Sequence, residues 1–299
     1  MEKQQVLKIG FIGLGRMGKP MASRLLAHFP LTIWNRTKAK TVELGKRGAE
    51  IASSPREVAA KSDITITMMY DDAALEAVTF GEDGILGGIR PPSVFIDMST
   101  VGPATSNRIA SAIKEQGVEM LRAPVTGSTS SAEEGTLTIL ASGNRQAYEK
   151  CEKVFSVMAK KIFYVGAEEE ARYLKLAHNM MVGVTAQMLA EAVTFGEKAG
   201  LDWHQMLEVF SGSFVASPLL CFKAARLADR DFTAASNVLQ LAKDFDLALV
   251  AGQQLESPMP IAGLVRQFLG MLVATGKEEL DYISLVLLME DLAGIKHWT

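Results

Sequence analysis

The chain has 299 residues, 48% hydrophobic and 22% charged, with a formal charge of −3, enough to bury one large core or two moderate ones. The slight acidity and the lack of any dense Lys/Arg run exclude nucleic acid as the main partner, and no apolar run reaches the roughly 18 residues a membrane span needs. Cys151 and Cys221 stand far apart without metal-ligand or CxxC spacing, so they read as buried thiols in a reducing, cytoplasmic setting, and the first five residues leave no room for a cleavable leader.

In chain order, residues 6–12 read as a strand and 16–28 as a helix, joined by Gly13-Leu14-Gly15-Arg16-Met17-Gly18. Each glycine of this Gly-x-Gly-x-x-Gly has a mechanical reason. Gly13 permits a tight turn off the strand, Gly15 lets the backbone approach a pyrophosphate, and Gly18 lets the helix pack closely on the sheet. An anion held there faces the N–H groups and positive dipole end of a helix N-terminus. Residues 31–34 follow as a second strand, and this βαβ context separates a dinucleotide fingerprint from a plain glycine-rich turn. Next stand Asn35-Arg36-Thr37, with no acid from 31 to 40 to hold an unphosphorylated ribose. Arg36 is placed to stack on adenine and pair with a 2′-phosphate, which points to NADPH rather than NAD; the plainer reading is a solvated turn arginine.

Further helices are expected at 38–47, 55–61, 73–79, 103–116 and 145–160, and strands at 63–69, 93–97, 118–123, 137–142 and 161–165. Asp63-Ile64-Thr65-Ile66-Thr67-Met68-Met69 is rich in β-branched residues and apolar on both faces, as a buried parallel strand is. This alternation predicts an α/β fold, a doubly wound Rossmann-type sheet over residues 1–166. Beyond Gly166 the strands stop. A helix at 169–198, longer than an average globular helix, leads into an all-α C-terminal domain over 167–299, with helices at 203–210, 218–227, 235–253, 258–275 and 282–292. Met180, Met181 and Met188 read as adaptable core filler.

Ligands of a doubly wound sheet bind outside the carboxyl ends of its strands. Asp97-Met98-Ser99-Thr100 follows one strand; Ser99 and Thr100 contact a ligand, cap the next helix, or both. Ala123-Pro124-Val125-Thr126-Gly127-Ser128-Thr129-Ser130-Ser131 follows another, a hydroxyl-rich loop suited to giving N–H groups to an anion, although a plain linker looks the same. On the long helix, Lys175 and Asn179 share a face at i and i+4. A lysine among apolar neighbours is a candidate for partial burial and a lowered pKa, which suits a proton donor, but position alone favours a solvated one. His28, His178, His204 and His297 pair with no ligand-type residue at a metal spacing, so no metal is expected.

Gly13 to Gly18, Asp97 to Thr100, Ala123 to Ser128, Lys175 with Asn179, and Lys243-Asp244 together, in this order, resemble the β-hydroxyacid dehydrogenase family over nearly the whole chain. Trp34-Asn35-Arg36-Thr37 and the Gly127-Ser128 to Leu137 segment look most like its NADPH-dependent glyoxylate and succinic semialdehyde reductases. The resemblance implies that Lys175 is the general acid–base residue, that Asn179 orients substrate, and that Thr126, Gly127 and Ser128 grip the substrate carboxylate. It also implies that Thr100 contacts substrate and cofactor, and that Gly13, Leu14, Gly15, Arg16, Met17, Gly18, Asn35, Arg36, Thr37, Met69 and Lys243 hold the cofactor. The family commonly has an acid where Arg122 stands, and glycines in the segment before the lysine, where this chain has Gly166-Ala167-Glu168-Glu169-Glu170-Ala171-Arg172. Those departures bear on how the backbone approaches the cofactor and on the charge of the substrate.

The implied chemistry is reduction of the carbonyl of a small aldehydo- or keto-acid by NADPH. Alternatives are a 3-hydroxyisobutyrate or other β-hydroxyacid dehydrogenase working in the oxidative direction, and a dinucleotide-binding module without turnover. An imine reductase usually replaces the lysine, so Lys175 argues against it. Apolar helix faces in the C-terminal domain predict a homodimer or homotetramer.

Overall fold

The computed structural model describes residues 6–295 and divides into two compact units, Met1–Lys175 and Leu176–Thr299. The first holds one sheet: β1 (Ile9–Ile12), β2 (Leu31–Trp34), β3 (Glu50–Ile51), β4 (Ile64–Thr67), β5 (Val94–Asp97), β6 (Glu119–Arg122), β7 (Val125–Thr126), β8 (Leu137–Gly143) and β9 (Ala159–Gly166). Their order is 3-2-1-4-5-6-8-7, with β9 beside β8. The first six strands are parallel; β8 runs antiparallel to β6 and β7, and β9 parallel to β8. From β1 the order runs one way to β2 and the other way to β4, so a crevice opens beyond the carboxyl ends of those strands.

Side chains alternate between two apolar layers. Ile9, Phe11, Val94 and Ile96 belong to one core with Leu25 and Phe155, whereas Ile12 and Phe95 belong to the other with Val58 and Ile113. The helices are α1 (Gly18–Leu26), α2 (Val42–Lys46), α3 (Pro55–Lys61), α4 (Asp72–Phe80), α5 (Ile85–Gly88), α6 (Pro103–Glu115), α7 (Thr129–Glu134), α8 (Arg145–Met158) and the long α9 (Glu170–Lys198). Several begin at polar caps: Ser54 accepts from Glu57 N–H, Asp71 from Ala74 N–H and Asn144 from Ala147 N–H.

The second unit contains the rest of α9 with α10 (Trp203–Gly212), α11 (Pro218–Ala228), α12 (Val238–Gln254), α13 (Pro260–Ala274) and α14 (Leu285–Leu292). Leu189, Val193, Leu227, Phe245, Leu269 and Ile283 form its core. A buried pair, Lys223 Nζ to Asp281 Oδ1 at 2.6 Å, ties α11 to the turn before α14, and Asp281 also accepts the Ala235 N–H. Among the described residues no helix is long and apolar enough to cross a membrane.

The elements differ from expectation in a few places. The glycine turn holds residues 15–17, so α1 opens at Gly18 rather than 16. The segment from 38 begins as a 3₁₀ turn, Lys38–Thr41, before α2. The edge strand β3 and the helices α5 and α7 lack the apolar periodicity by which a sequence announces such elements. Asn237 caps Gln240 N–H and delays α12 to Val238. Met181 and Met188 are 73% and 53% exposed, so they are not core filler; only Met180 packs against the apolar cluster. Cys151 is buried, whereas Cys221 is half-buried, and both are free thiols.

Candidate active site

The loop between β1 and α1 lies at the point where the sheet order reverses. Gly13 has φ of +100°, and a Cβ there would stand 2.4 Å from the Met68 carbonyl oxygen, so only glycine makes the turn. At Gly18 a Cβ would stand 1.9 Å from the Gly13 carbonyl oxygen: the helix start rests directly on the turn. At Gly15 a Cβ would meet nothing within 4 Å, so the loop presents open space at the middle glycine, where a pyrophosphate approaches. Asn35 Oδ1 accepts the Leu14 N–H at 2.8 Å and its Nδ2 donates to the Thr37 carbonyl at 3.0 Å, so this side chain ties the end of β2 to the glycine loop. Arg36 and Thr37 are exposed beside it.

The opposite rim is formed by the ends of β4 and β5. Asp97 is fully buried and accepts from the Thr67 and Ser99 hydroxyls, both at 2.6 Å. Ser99 Oγ accepts the Met69 N–H at 2.7 Å, which fixes the backbone next to Gly13. Ser99 and Thr100 do not cap α6. The cap position is Gly102, and Asp72 of α4 accepts both its N–H and the Thr105 hydroxyl, each at 2.9 Å. Thr100 is half-buried on that loop.

Thr126 ends the short strand β7, and Gly127, with φ of +136°, turns the chain into α7. The hydroxyl-rich loop is therefore neither a plain linker nor loose: Ser128 caps α7 by accepting the Ser131 N–H at 3.2 Å. Of the first turns of α9, Ala171, Arg172, Lys175, Leu176 and Asn179 form the buried face, while Tyr173 and Leu174 are exposed. Lys175 is 8% exposed, so the solvated lysine that position alone favours is not what the fold gives. In the second unit, Asn179 Nδ2 donates to Asp244 Oδ2 at 2.7 Å, and Lys243 Nζ lies 2.9 Å from Asp244 Oδ1, so one buried carboxylate holds both.

The two departures at Arg122 and Glu169 answer each other. Arg122, at the end of β6, grips Glu169 Oε1 through Nε at 2.7 Å and through Nη2, and Glu170 folds back onto the Glu168 N–H at 2.7 Å. Two of the three carboxylates of the acidic run, those of Glu169 and Glu170, are thus occupied in holding the start of α9. Arg172, 1% exposed, is the largest fully buried side chain of the described residues and pairs with Asp97. The sequence gives no local sign of that pair, because the partners lie 75 positions apart. Among the described residues no group of His, Cys, Asp and Glu is arranged to hold a metal, and His297 lies outside them.

A doubly wound sheet with a glycine fingerprint at its switch point, followed by a helical unit, defines the class of NAD(P)-dependent dehydrogenases. The family model for the NAD binding domain of 6-phosphogluconate dehydrogenase matches residues 8–166, and that for the NAD-binding domain of NADP-dependent 3-hydroxyisobutyrate dehydrogenase matches residues 170–289. Glyoxylate/succinic semialdehyde reductase 1 of Arabidopsis thaliana is 33% identical over 281 residues, 94% of this chain and 97% of the plant protein. The 2-(hydroxymethyl)glutarate dehydrogenase of Eubacterium barkeri is 32% identical over 299 residues, 99% of this chain and 98% of that one. The structure of 3-hydroxyisobutyrate dehydrogenase from Salmonella typhimurium matches with a TM-score of 0.84 at 26% identity, covering 94% of this chain and 99% of that one. The chain belongs to the β-hydroxyacid dehydrogenase family and is an NAD(P)-dependent oxidoreductase.

Proposed function

We propose that this protein reduces the carbonyl of a small aldehydo- or keto-acid, of the glyoxylate or succinic semialdehyde type, with NADPH, and that Lys175 is the general acid. The observation that carries this reading is the burial of Lys175 on the face of α9 that also bears Asn179. A positioned ammonium screened from water donates its proton to a carbonyl oxygen as negative charge builds there. The glycine loop fits a dinucleotide, since it admits no side chain at Gly13 or Gly18 and is open at Gly15. Gly13 to Gly18, Asn35, Arg36, Thr37, Met69 and Thr100 would hold NADPH, with Lys243 toward its nicotinamide; when bound, it supplies the hydride.

Thr126, Gly127 and Ser128 would hold the substrate carboxylate, whose burial without partners costs several kcal/mol. Asn179, its amide fixed by Asp244, orients the carbonyl. The oxidative direction uses the same residues, with Lys175 neutral and accepting the proton. The same reading includes self-association through the second unit, whose helices leave large apolar side chains exposed.

Steady-state kinetics on both aldehydo-acids, beside fluorescence titration of NADPH, test the reading. Lys175→Ala is expected to lower kcat by about 10²–10⁴ with NADPH affinity scarcely changed. Arg at this position should not rescue turnover, because guanidinium is too weak an acid to release a proton near neutral pH. Turnover of Lys175→Ala within about tenfold of the native enzyme would remove the lysine from the mechanism.

A further inference from the structure

Three side chains tie the start of α9 to the sheet, and none has a part in the chemistry above. Ser142 of β8 donates its hydroxyl to the Glu168 carbonyl at 2.6 Å and accepts the Ala171 N–H at 3.2 Å, so it caps the helix from a strand. Arg122 holds Glu169. Arg172, three residues before Lys175, directs its guanidinium at three further partners besides the Asp97 carboxylate: the Ser99 carbonyl at 2.7 Å, the Ser106 hydroxyl at 3.1 Å and the Asp97 carbonyl at 3.4 Å.

A buried ion pair is weak evidence for stability, because taking both charges out of water offsets most of their attraction. Geometry is a better account of this one. A guanidinium presents its donors in a rigid planar fork, so acceptors on β5, on the loop after it and on α6 together fix the direction from which the arginine arrives. On a helix, residues three apart are neighbours on one face. The rotation and height imposed at Arg172 are therefore imposed on Lys175. The same cluster reaches the Met69 backbone through Ser99 Oγ, beside the glycine loop.

We infer that Arg172 is a positioning residue: its fork locks the helix turn carrying Lys175 to the carboxyl end of β5, the loop after it and α6, and so sets where the ammonium stands. The inference rests on Lys175 being the general acid. Arg172→Ala leaves Asp97 buried without its partner and is expected to destabilise the fold, so it does not discriminate. Arg172→Lys keeps the charge opposite Asp97 and removes the fork. Arg172→Met combined with Asp97→Asn removes both charges and leaves neither unpaired.

Both variants are expected to bind NADPH within about threefold of the native enzyme while kcat falls about 10- to 100-fold, the loss that a misplacement near 1 Å brings. KM for the aldehydo-acid should move by less than about threefold, and the solvent deuterium isotope effect on kcat should rise as proton donation becomes limiting. In the cofactor-free protein, acetylation of Lys175 followed by mass spectrometry should change in rate by about threefold or more, since the turn is no longer fixed. A folded Arg172→Lys with kcat within about threefold of native, an unchanged isotope effect and an unchanged acetylation rate makes Arg172 purely structural and overturns the inference. Lys175→Ala, run alongside, separates the two ideas. If it loses turnover while Arg172→Lys keeps it, only the positioning role fails; if it keeps turnover, the assignment of Lys175 itself fails.

Discussion

At the scale of single residues, the three glycines of the first loop have separable physical duties, and substitution separates them. A methyl group at Gly18 collides with the Gly13 carbonyl oxygen, so Gly18→Ala must push α1 off the turn and should lower the melting temperature. Gly15→Ala meets no protein atom within 4 Å, so it should melt like the native protein while losing NADPH affinity, because its methyl fills the space where the pyrophosphate approaches. Thermal melts and NADPH titrations of the two variants decide; equal cofactor affinity in Gly15→Ala and the native protein would contradict the placement. Arg36 is exposed at the end of β2, which is where a 2′-phosphate would meet a charge-assisted, bidentate partner. Arg36→Ala should cost roughly 1.5–3 kcal/mol of NADPH binding and weaken NADH binding less, since only the 2′-phosphate pair is peculiar to NADPH, and a native protein with equal dissociation constants for both cofactors would refute the preference. The thiols should also differ. Burial pushes Cys151 up to about 12, so at pH 8 it carries almost no thiolate and should resist an alkylating reagent until the protein unfolds, whereas half-buried Cys221 should be modified first, as peptide mass spectrometry would report.

At the scale of elements, Ser128 shows how one side chain is read twice. The family resemblance implies a group for gripping a carboxylate; in the fold Ser128 caps α7, and capping leaves its neighbours' N–H groups able to face an anion. Ser128→Ala should cost about 1 kcal/mol as a lost cap, but Ser128→Asp is the sharper test, because aspartate caps as well as serine and adds a negative charge. Its melting temperature should hold while KM for the aldehydo-acid rises about tenfold or more through like-charge repulsion. An unmoved KM would place the substrate elsewhere. The strands that build the sheet were legible because Ile64-Thr65-Ile66-Thr67 and Val94-Phe95-Ile96 are β-branched or aromatic and buried on both faces, a pattern the sequence displays locally. The tie between Arg122 and Glu169 and that between Arg172 and Asp97 were not legible. Each arginine has an ordinary local context, and the acid that meets it is brought by the sheet topology from 47 and 75 positions away. For the same reason the acidic run at 168–170 looked like a determinant of substrate charge, whereas its middle carboxylate is already engaged by Arg122.

At the scale of the whole molecule, the apolar surface of the second unit is what the proposed self-association would use. Met181, Met188 and Phe195 recur every seven residues along α9 and are 73%, 53% and 77% exposed, so they form a stripe down one side of the helix. Ile261, Leu264 and Met271, spaced three and seven residues apart, put a second exposed apolar face on α13 at 62%, 55% and 45%. Scattered exposed apolar residues are normal on a monomer, but a periodic stripe of large ones is what an interface leaves when its partner is removed. A second copy of the chain satisfies such a stripe economically, because a two-fold axis brings the same face up against itself. Light scattering at micromolar concentration is expected to give a mass at least about twice the 32.4 kDa of one chain. Met188→Glu with Phe195→Glu should return it to 32.4 kDa while NADPH affinity in the first unit is retained. Across a two-fold axis each introduced carboxylate is presented twice, so burying that face would bring like charges together without counter-ions, which costs several kcal/mol and exceeds what the apolar stripe returns. A native protein that stays at the mass of one chain would show that the stripe is ordinary surface, and a double variant that stays associated would move the interface to α13.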